Sequence, residues 1–383
     1  MNLSILLSLF EMKVSYPLRF AVYKAMYKQD KNRILFADPY ATDLTDNMKP
    51  IYAALSEKDG VTLVKCFPQT GGLQGNSLAG KLKGRANRSA AFNKFLKEYA
   101  RCGVVFLTES YLPAYAVKPR PGTQVVQLWH GSGAFKKWGY STLDKSFGAS
   151  DNTVPMHNCY TLVPVSSPVV SPCYAEAFRC DPGIIKPLGV PRTDELVNSS
   201  ADAKAELIAA HPELAGKKLI LYAPTFRGNN VVNAKSGVLL ELSKFDSDCA
   251  ILLRLHPFAR GKYEIPTDCK GIILDTSEYP TNFCLRAADV LVTDYSSIIF
   301  EYSLLEKPMI FFAPDLEEYK SNRDFYYGYE GFVPGPITKT TDEVIEIINS
   351  DSFDLSAPRE FKKKYMSACD GHAAEKILKE LLD

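Results

Sequence analysis

The segment Leu291–Phe312, LVTDYSSIIFEYSLLEKPMIFF, constrains the possible folds of this chain more than any other part of it. The apolar run Ala288–Val292 leads into it and predicts a strand, and Met309–Phe312 predicts a second strand. Between them, a polar turn is followed by apolar residues at helical spacing. Strand, helix and strand in this order predict a βαβ unit, and therefore a parallel sheet.

The polar turn of this unit carries Asp294, Ser296 and Ser297. Any of them could cap the helix, and free N–H groups beside two hydroxyls could bind an anion at the carboxyl end of the strand. A capped helix without a ligand explains the turn as well, so the other strand ends must decide between the two interpretations.

Length and composition describe a two-domain globular protein. The chain has 383 residues, of which 46% are hydrophobic and 23% charged, and its net charge of +1 does not indicate nucleic acid as a partner. Its nine cysteines form no CxxC pair. They are typical of thiols in a reducing compartment, rather than of a disulfide framework or a zinc site.

The amino terminus contains an apolar run, Leu3–Phe10, which is far shorter than the roughly twenty residues that span a bilayer. It has neither the basic region nor the cleavage site of a signal peptide. Basic and apolar residues then alternate as far as Arg33. Two interpretations stay open: the segment lies on an anionic membrane surface, or it is a first helix packed on the protein.

The first half of the chain contains six runs that predict strands: Arg33–Phe36, Val61–Cys66, Gly103–Leu107, Gln124–Leu128, Thr161–Val165 and Ile185–Gly189. A predicted loop, Gly71–Gly84, precedes a basic run. The run consists of Lys81, Lys83, Arg85, Arg88, Lys94, Lys97 and Arg101. It predicts either a solvated helix face or a dock for a phosphate-bearing acceptor.

The fourth predicted strand runs into His130-Gly131-Ser132-Gly133, with Lys136 and Lys137 close behind. A histidine at a strand end can take a proton from an attacking hydroxyl, and glycines allow close backbone approach to a phosphate. A strand-end histidine can equally be a structural residue.

In the second half, three successive predicted strands end in polar residues. The first delivers Thr225 and Arg227, the second Arg254 and His256, and the third the turn at Asp294. Ends of parallel strands meet at one edge of a sheet, so we expect these side chains to lie together, where they would suit a diphosphate.

Several ordered blocks resemble the CDP-glycerol:polyglycerophosphate glycerophosphotransferase family of teichoic-acid synthesis. They are LWHGSGAFKKWG (128–139), GVPRTD (189–194), YAPTFRG (222–228), LLRLHP (252–257), the 291–312 segment, FYYGYEGFVPGPI (325–337) and CDGHAAEKIL (369–378). The sequence departs from the family at HGSG, where an HGTP-like segment is usual, and at Lys376, where arginine is common.

The resemblance implies an α/β fold of GT-B architecture, with two Rossmann-like domains, a cleft between them and a C-terminal helix that crosses back. We accordingly expect an amphipathic segment at 1–31, an acceptor domain at 32–195, a CDP-polyol donor domain at 196–357 and a returning helix at 358–383.

The resemblance also implies a reaction, in which an acceptor hydroxyl attacks the β-phosphorus of a CDP-polyol and CMP is released. His130 would be the general base, and His256 with Arg254 would stabilise charge on the diphosphate. The remaining donor-binding residues would be Gly131, Thr225, Arg227, Asp294, Ser296, Ser297 and Glu301, with Glu301 on the ribose hydroxyls. Acceptor or phosphate contacts would come from Lys81, Lys83, Arg85, Arg88, Lys136 and Lys137.

We expect no metal and no cofactor, since the CDP-polyol is a substrate, most simply CDP-glycerol. The expected partners are a lipid-linked saccharide or polyol-phosphate acceptor and an anionic membrane surface at the cytoplasmic face. Two alternatives keep the fold: a GT-B nucleotide-sugar glycosyltransferase or epimerase, and a non-catalytic nucleotide-binding assembly subunit.

Overall fold

Two parallel sheets form the framework of the protein. A computed structural model describes residues 9–68, 78–142, 156–227, 235–236, 239–255, 266 and 268–382. The first sheet contains four strands in the order β2-β1-β3-β4, and the second contains six in the order β11-β10-β7-β12-β13-β14. In each sheet, the strand that comes first in the sequence lies in the interior, and later strands are added on both sides of it. This is the doubly wound pattern of Rossmann-like domains.

The first sheet comes from the first half of the chain. Its strands are β1 (Asp30–Ala37), β2 (Thr62–Cys66), β3 (Cys102–Leu107) and β4 (Gln124–Gln127). Every residue of β3 is buried, as expected for a strand that is covered on both faces of a parallel sheet. Two short strands, β5 (Val163–Pro164) and β6 (Ile185–Lys186), continue this layer through a bridge between Val126 and Leu162.

The second sheet contains the predicted βαβ unit. Its six strands are β7 (Lys218–Ala223), β10 (Cys249–Leu253), β11 (Ile272–Asp275), β12 (Val290–Thr293), β13 (Met309–Phe312) and β14 (Ile337–Thr338). Strands β12 and β13 pair in parallel, so the prediction from the 291–312 segment is confirmed. A small antiparallel pair, β8 (Phe226–Arg227) and β9 (Lys235–Ser236), lies outside the sheet.

Fourteen α-helices lie in the described part of the chain. They are α1 (Tyr16–Met26), α2 (Met48–Ser56), α3 (Leu78–Tyr99), α4 (Leu112–Tyr115), α5 (Ser171–Phe178), α6 (Asp194–Asn198), α7 (Ala203–Ala210), α8 (Thr281–Ala287), α9 (Ile298–Ser303), α10 (Leu316–Asn322), α11 (Tyr329–Phe332), α12 (Thr341–Ser350), α13 (Ser356–Tyr365) and α14 (Ala373–Leu382). Across those same residues, none of the helices is both long and apolar enough to cross a membrane.

The carboxyl-terminal residues form two helices where the sequence pattern indicated one. The chain turns at Gly371, whose φ of 91° suits glycine, and Asp194 then caps α14 by accepting from the N–H groups of Ala373 and Ala374. Helix α13 packs on α9 of the second half, whereas α14 packs on α2 of the first half. The chain therefore does cross back, as predicted.

The first helix packs on the protein through one face only. A π-helical turn, Glu11–Ser15, leads into α1, and Met12, Tyr16 and Phe20 are buried against α3. A Tyr23 hydroxyl that donates to Asn93 Oδ1 at 3.0 Å fixes the same face. The packed-helix interpretation of the amino terminus is therefore correct for this face.

The segment Gly131–Trp138, called the bridging segment below, joins the two halves. It leaves β4 and pairs through Lys136 with Phe325 of the second half, and Tyr326 N donates to Phe135 O at 2.9 Å. A Cβ atom on Gly133 would lie 2.3 Å from the Phe300 ring, so only glycine lets α9 approach this closely.

Candidate active site

One cleft, with a cavity volume of about 380 Å³, lies where the carboxyl ends of both sheets face each other. Its lining residues come from both halves of the chain. They are Asp46, His130, Arg192, Ala223, Pro224, Thr225, Arg254, Leu255, Thr281, Asn282, Ser296, Ser297, Ile298 and Glu301. The structure thus brings His130, Thr225, Arg254, Ser296, Ser297 and Glu301, all predicted as site residues, into a single cleft.

His130 stands on the first-half wall of this cleft. Its Nδ1 lies 2.8 Å from Glu109 Oε1, and its ring lies against the Trp129 ring with centroids 4.3 Å apart. Its backbone carbonyl accepts from Arg192 Nη1 at 2.7 Å. The imidazole is therefore held on one side while its side chain stays half exposed toward the cleft.

Arg254 stands on the opposite wall with an unneutralised charge. Its Nη1 donates to the carbonyls of Thr276 and Tyr279, both at 2.9 Å, and its Nη2 donates to the Thr281 hydroxyl at 2.7 Å. Within the described residues, no carboxylate pairs with it. The guanidinium is thus fixed by neutral acceptors, which leaves its positive charge for an anion in the cleft.

Ser296 and Ser297 occupy the turn between β12 and α9. The Ser296 hydroxyl accepts from Ile298 N at 3.3 Å, and Ser297 is the N-cap residue without a side-chain cap bond. Both line the cleft beside Thr225. They lie at the crevice between β7 and β12, where the winding direction of the sheet reverses and where such folds bind ligands.

Glu301, from the second half of the chain, contacts residues of the first half. Its Oε1 accepts from the Ser132 hydroxyl at 2.7 Å and pairs with Arg192 Nη2, both from the first half. Its Oε2 is buried and has no hydrogen-bond partner among the described residues. Since a buried carboxylate oxygen without a donor is costly, Oε2 is the oxygen of Glu301 that remains able to accept a hydrogen bond.

Two predicted donor contacts, Arg227 and Asp294, do not face the cleft. Arg227 donates to Asp315 at 2.8 and 3.0 Å and to Asp294 Oδ2 at 3.0 Å. Burial opposes its charge, but the two carboxylates outweigh burial and raise the pKa of Arg227 above its ordinary value. Asp294 also accepts from the backbone N–H and the hydroxyl of Thr225 at 2.9 Å. These contacts hold the strand ends together.

Three predicted contacts of the bridging segment also lie outside the lining of the cleft. Lys136 and Lys137 lie over the rings of Tyr319 and Tyr326, with the nitrogen 6.0 Å from each centroid, and neither lysine lines the cleft. Gly131 lies outside the lining as well. The glycine that a close approach requires is Gly133, and the approaching group is the Phe300 ring.

The basic run has mostly structural contacts where its side chains are described. Lys94 donates to the Lys65 carbonyl at 2.8 Å, and Lys97 and Arg101 lie over the Tyr27 ring. Arg88 is exposed. The side chains of Lys81, Lys83 and Arg85 fall outside the described part of the chain, as does His256, and their roles stay predictions.

Sequence reasoning missed Glu109 and Arg192. Glu109 follows β3 by two residues, so the strand-end rule that found His130 could have found it. Arg192 lies in the GVPRTD block, which carries part of the family resemblance, but the sequence did not indicate a role for this arginine. Its contact with Glu301 joins positions 109 residues apart and leaves no local signal.

Comparison with known proteins agrees with this geometry. The family model described as CDP-Glycerol:Poly(glycerophosphate) glycerophosphotransferase matches residues 19–383. The chain is 36% identical over 373 residues to the teichoic acid ribitol-phosphate primase of Bacillus spizizenii, covering 94% of this chain and 92% of the relative. It is 31% identical to the teichoic acid ribitol-phosphate polymerase TarK of Staphylococcus aureus, covering 96% and 73%.

A solved structure of the wall teichoic acid polymerase TagF superposes with a TM-score of 0.72 at 21% identity, covering 98% of this chain and 95% of that one. This likeness confirms the predicted GT-B architecture. The chain therefore belongs to the CDP-glycerol:poly(glycerophosphate) glycerophosphotransferase family and is a polyol-phosphate transferase of teichoic acid synthesis.

Proposed function

We propose that the cleft is the active site, and that an acceptor hydroxyl attacks the β-phosphorus of a bound CDP-polyol there. The observation that carries this proposal is the pairing of opposite walls: a histidine held through Nδ1 on one side, and on the other an arginine that pairs with no carboxylate in the described part of the chain. One wall suits a proton acceptor and the other suits a diphosphate.

In this reaction the Nε2 of His130 accepts the proton of the acceptor hydroxyl as the oxygen forms its bond to phosphorus. The bond between the β-phosphorus and the bridging oxygen breaks, and that oxygen leaves with CMP. Arg254 offsets the charge that develops on the leaving phosphate, because its guanidinium has no carboxylate partner in the described residues. His256, which directly follows cleft residue Leu255, would act beside it.

The donor would lie across the β7–β12 crevice. The hydroxyls of Ser296 and Ser297 would donate to phosphate oxygens, and the unpartnered Oε2 of Glu301 would accept from a sugar hydroxyl. We further propose that no metal or cofactor takes part, because Arg254 supplies the positive charge that the diphosphate needs. Transfer by the purified protein should then persist in a metal chelator.

For the polyol, we favour ribitol phosphate over the glycerol phosphate expected from the sequence alone. Both relatives described above are ribitol-phosphate enzymes, and the match to the primase covers 92% of the primase's own length. The test incubates purified protein with CDP-ribitol or CDP-glycerol and a lipid-linked acceptor, and it measures CMP release and product length.

We expect faster CMP release with CDP-ribitol, a phosphodiester product and dependence on the acceptor. His130→Ala should lower kcat by about two powers of ten while the donor Kd stays within twofold of the original. Near-normal turnover of this variant would remove His130 as the base. A nucleoside diphosphate released from a nucleotide sugar would instead indicate the glycosyltransferase alternative.

We also propose that the protein binds the cytoplasmic face of the membrane through α1 and the turn before it. The face opposite the packed one exposes five large apolar side chains at four-residue spacing, each between 47% and 65% exposed. They are Phe10, Val14, Leu18, Val22 and Met26. Lys13 and Arg19 are exposed on the same helical stretch, so the surface combines apolar insertion with attraction to anionic headgroups.

Vesicle sedimentation tests this proposal. Leu18→Glu with Val22→Glu should abolish binding to anionic vesicles, and charge reversal at Lys13, Arg19 and Lys24 should weaken it, while donor binding is spared in both cases. Exposed Leu382→Glu at the other end of the chain serves as the matched control. Unchanged sedimentation of the Leu18 and Val22 variant would contradict the proposal.

A further inference from the structure

A carboxylate that the sequence did not predict holds the proposed base. Glu109 Oε1 lies 2.8 Å from His130 Nδ1, and the Glu109 side chain is 26% exposed against 55% for His130. Glu109 follows β3, and His130 follows the neighbouring strand β4. The two side chains therefore stand side by side at the same edge of the first sheet.

One buried side chain fixes both loops that carry this pair. Gln127, the last residue of β4, is fully buried. Its Nε2 donates to the Glu109 carbonyl at 3.2 Å, and its Oε1 accepts from Trp129 N at 3.0 Å. A single amide thus sets the position of the Glu109 backbone relative to the residue that precedes His130.

Trp129 itself adopts a conformation that costs energy. Its φ of 57° places a bulky residue in the left-handed region, which such residues rarely adopt. Asn47 stabilises this conformation, because its Nδ2 donates to the Trp129 carbonyl at 2.8 Å and its Oδ1 accepts from Arg192 N at 3.1 Å. The surrounding residues thus hold the Trp129 backbone in the conformation that places the His130 ring against Glu109.

We propose that Glu109 is the positioning residue of His130. By accepting from Nδ1–H it fixes the tautomer in which Nε2 carries the free lone pair, and its negative charge stabilises the imidazolium that forms when Nε2 takes the acceptor proton. This inference rests on the proposed function, in which His130 is the general base.

The other charged groups around His130 have partners of their own. Asp46 pairs with Lys49 at 2.8 Å, Glu301 pairs with Arg192, and Arg254 is bound to neutral acceptors. Beyond Glu109, Tyr40 lies close enough that burial and then the Glu109 charge raise its pKa, while Arg88 acts in the opposite direction. Among the described residues, Glu109 is therefore the carboxylate that contacts the imidazole.

The test compares Glu109→Gln, Glu109→Ala and Glu109→Asp with the matched control Glu57→Gln, an exposed acid in the same half of the chain. Gln keeps an oxygen for Nδ1–H but loses the charge, whereas Ala loses both. The readouts are kcat, the donor KM, the pH–rate profile, and the ¹⁵N resonances of His130 in histidine-labelled protein, assigned with His130→Ala.

We expect Glu109→Gln to lower kcat at least about tenfold with donor KM unchanged, and to move the acidic limb of the profile to lower pH. The direction follows because removing the negative charge makes the imidazolium less stable. Glu109→Ala should also mix the two tautomers of His130, and Glu109→Asp should recover part of kcat. Glu57→Gln should match the original protein.

The proposal would be overturned if the acidic limb of Glu109→Gln lies at the same pH as in the original protein and the tautomer of His130 is unchanged in Glu109→Ala. If Glu109→Ala does not fold, the limb and kcat of Glu109→Gln decide alone, because glutamine has nearly the same shape. The spectroscopic readouts do not depend on turnover. Near-normal activity of His130→Ala would therefore refute the base role of His130, while the tautomer would still report whether Glu109 holds the ring.

Discussion

Stability should fall on mild acidification because of one buried histidine. His157 is 3% exposed, and its Nδ1 lies 2.9 Å from the Tyr160 hydroxyl and 3.3 Å from that of Tyr115. Its ring packs on Phe178 with centroids 4.6 Å apart. Burial lowers the pKa of His157 to about 4 from an ordinary value of 6.5.

The sign and size of the effect follow from this difference. Between pH 6.5 and 4 the unfolded chain binds a proton at His157 and the folded protein does not, so acidification favours unfolding. At pH 7.5 the contribution is negligible. At pH 5 it amounts to about 2 kcal/mol of lost unfolding free energy, and at still lower pH it approaches roughly 3 kcal/mol.

Urea unfolding at pH 7.5 and pH 5 measures this loss, and His157→Gln is the decisive variant. The variant should be less stable than the original at pH 7.5, but its own stability should drop by about 2 kcal/mol less on going to pH 5. Exposed His372→Gln is the matched control and should keep the original pH dependence. Equal losses in the original protein and His157→Gln would refute the assignment of the effect to His157.

Three further changes test the site and its supports. Replacing Ser296 and Ser297 together by alanine should weaken CDP-polyol binding by roughly 1–3 kcal/mol in calorimetry, because phosphate oxygens lose their donors; an unchanged Kd would leave the turn as a helix cap only. Arg254→Gln should reduce donor affinity and kcat at least about tenfold each, since its charge acts before and during transfer; an unaltered Kd would place the diphosphate elsewhere. Gly133→Ala should lower the unfolding free energy by about 1–3 kcal/mol in chemical denaturation, because its Cβ would lie 2.3 Å from the Phe300 ring; full stability would show that α9 shifts freely.

Much of the fold follows from local pattern. The apolar run predicted at 103–107 is the fully buried strand Cys102–Leu107, and the run predicted at 309–312 matches its strand residue for residue. Continuous apolar runs identify such strands because both faces of a parallel sheet are covered. The break between α13 and α14 was not apparent, since Gly371 lies within an otherwise helical pattern and Asp194, which caps α14, is distant in sequence.

The candidate site, like the fold, could be predicted from the sequence only in part. The strand-end rule placed His130, Arg254 and Ser296 correctly in one cleft, because the carboxyl ends of parallel strands converge whatever their sequence separation. It did not reveal that Arg227 pairs with Asp315, which lies 88 residues away. Tertiary contacts determine which of several strand-end charges neutralise one another. The order of residues in the sequence does not reveal these contacts.

The bridging segment has a consequence for how substrates reach the cleft. The packing of Gly133 against Phe300 and the pair formed by Arg192 and Glu301 hold the two halves together beside the cleft. We expect any relative motion of the halves to turn about this contact, so that the far rim of the cleft travels furthest. The donor would then enter and CMP would leave through such a swing, while the proposed base and the carboxylate proposed to bind the sugar keep their alignment.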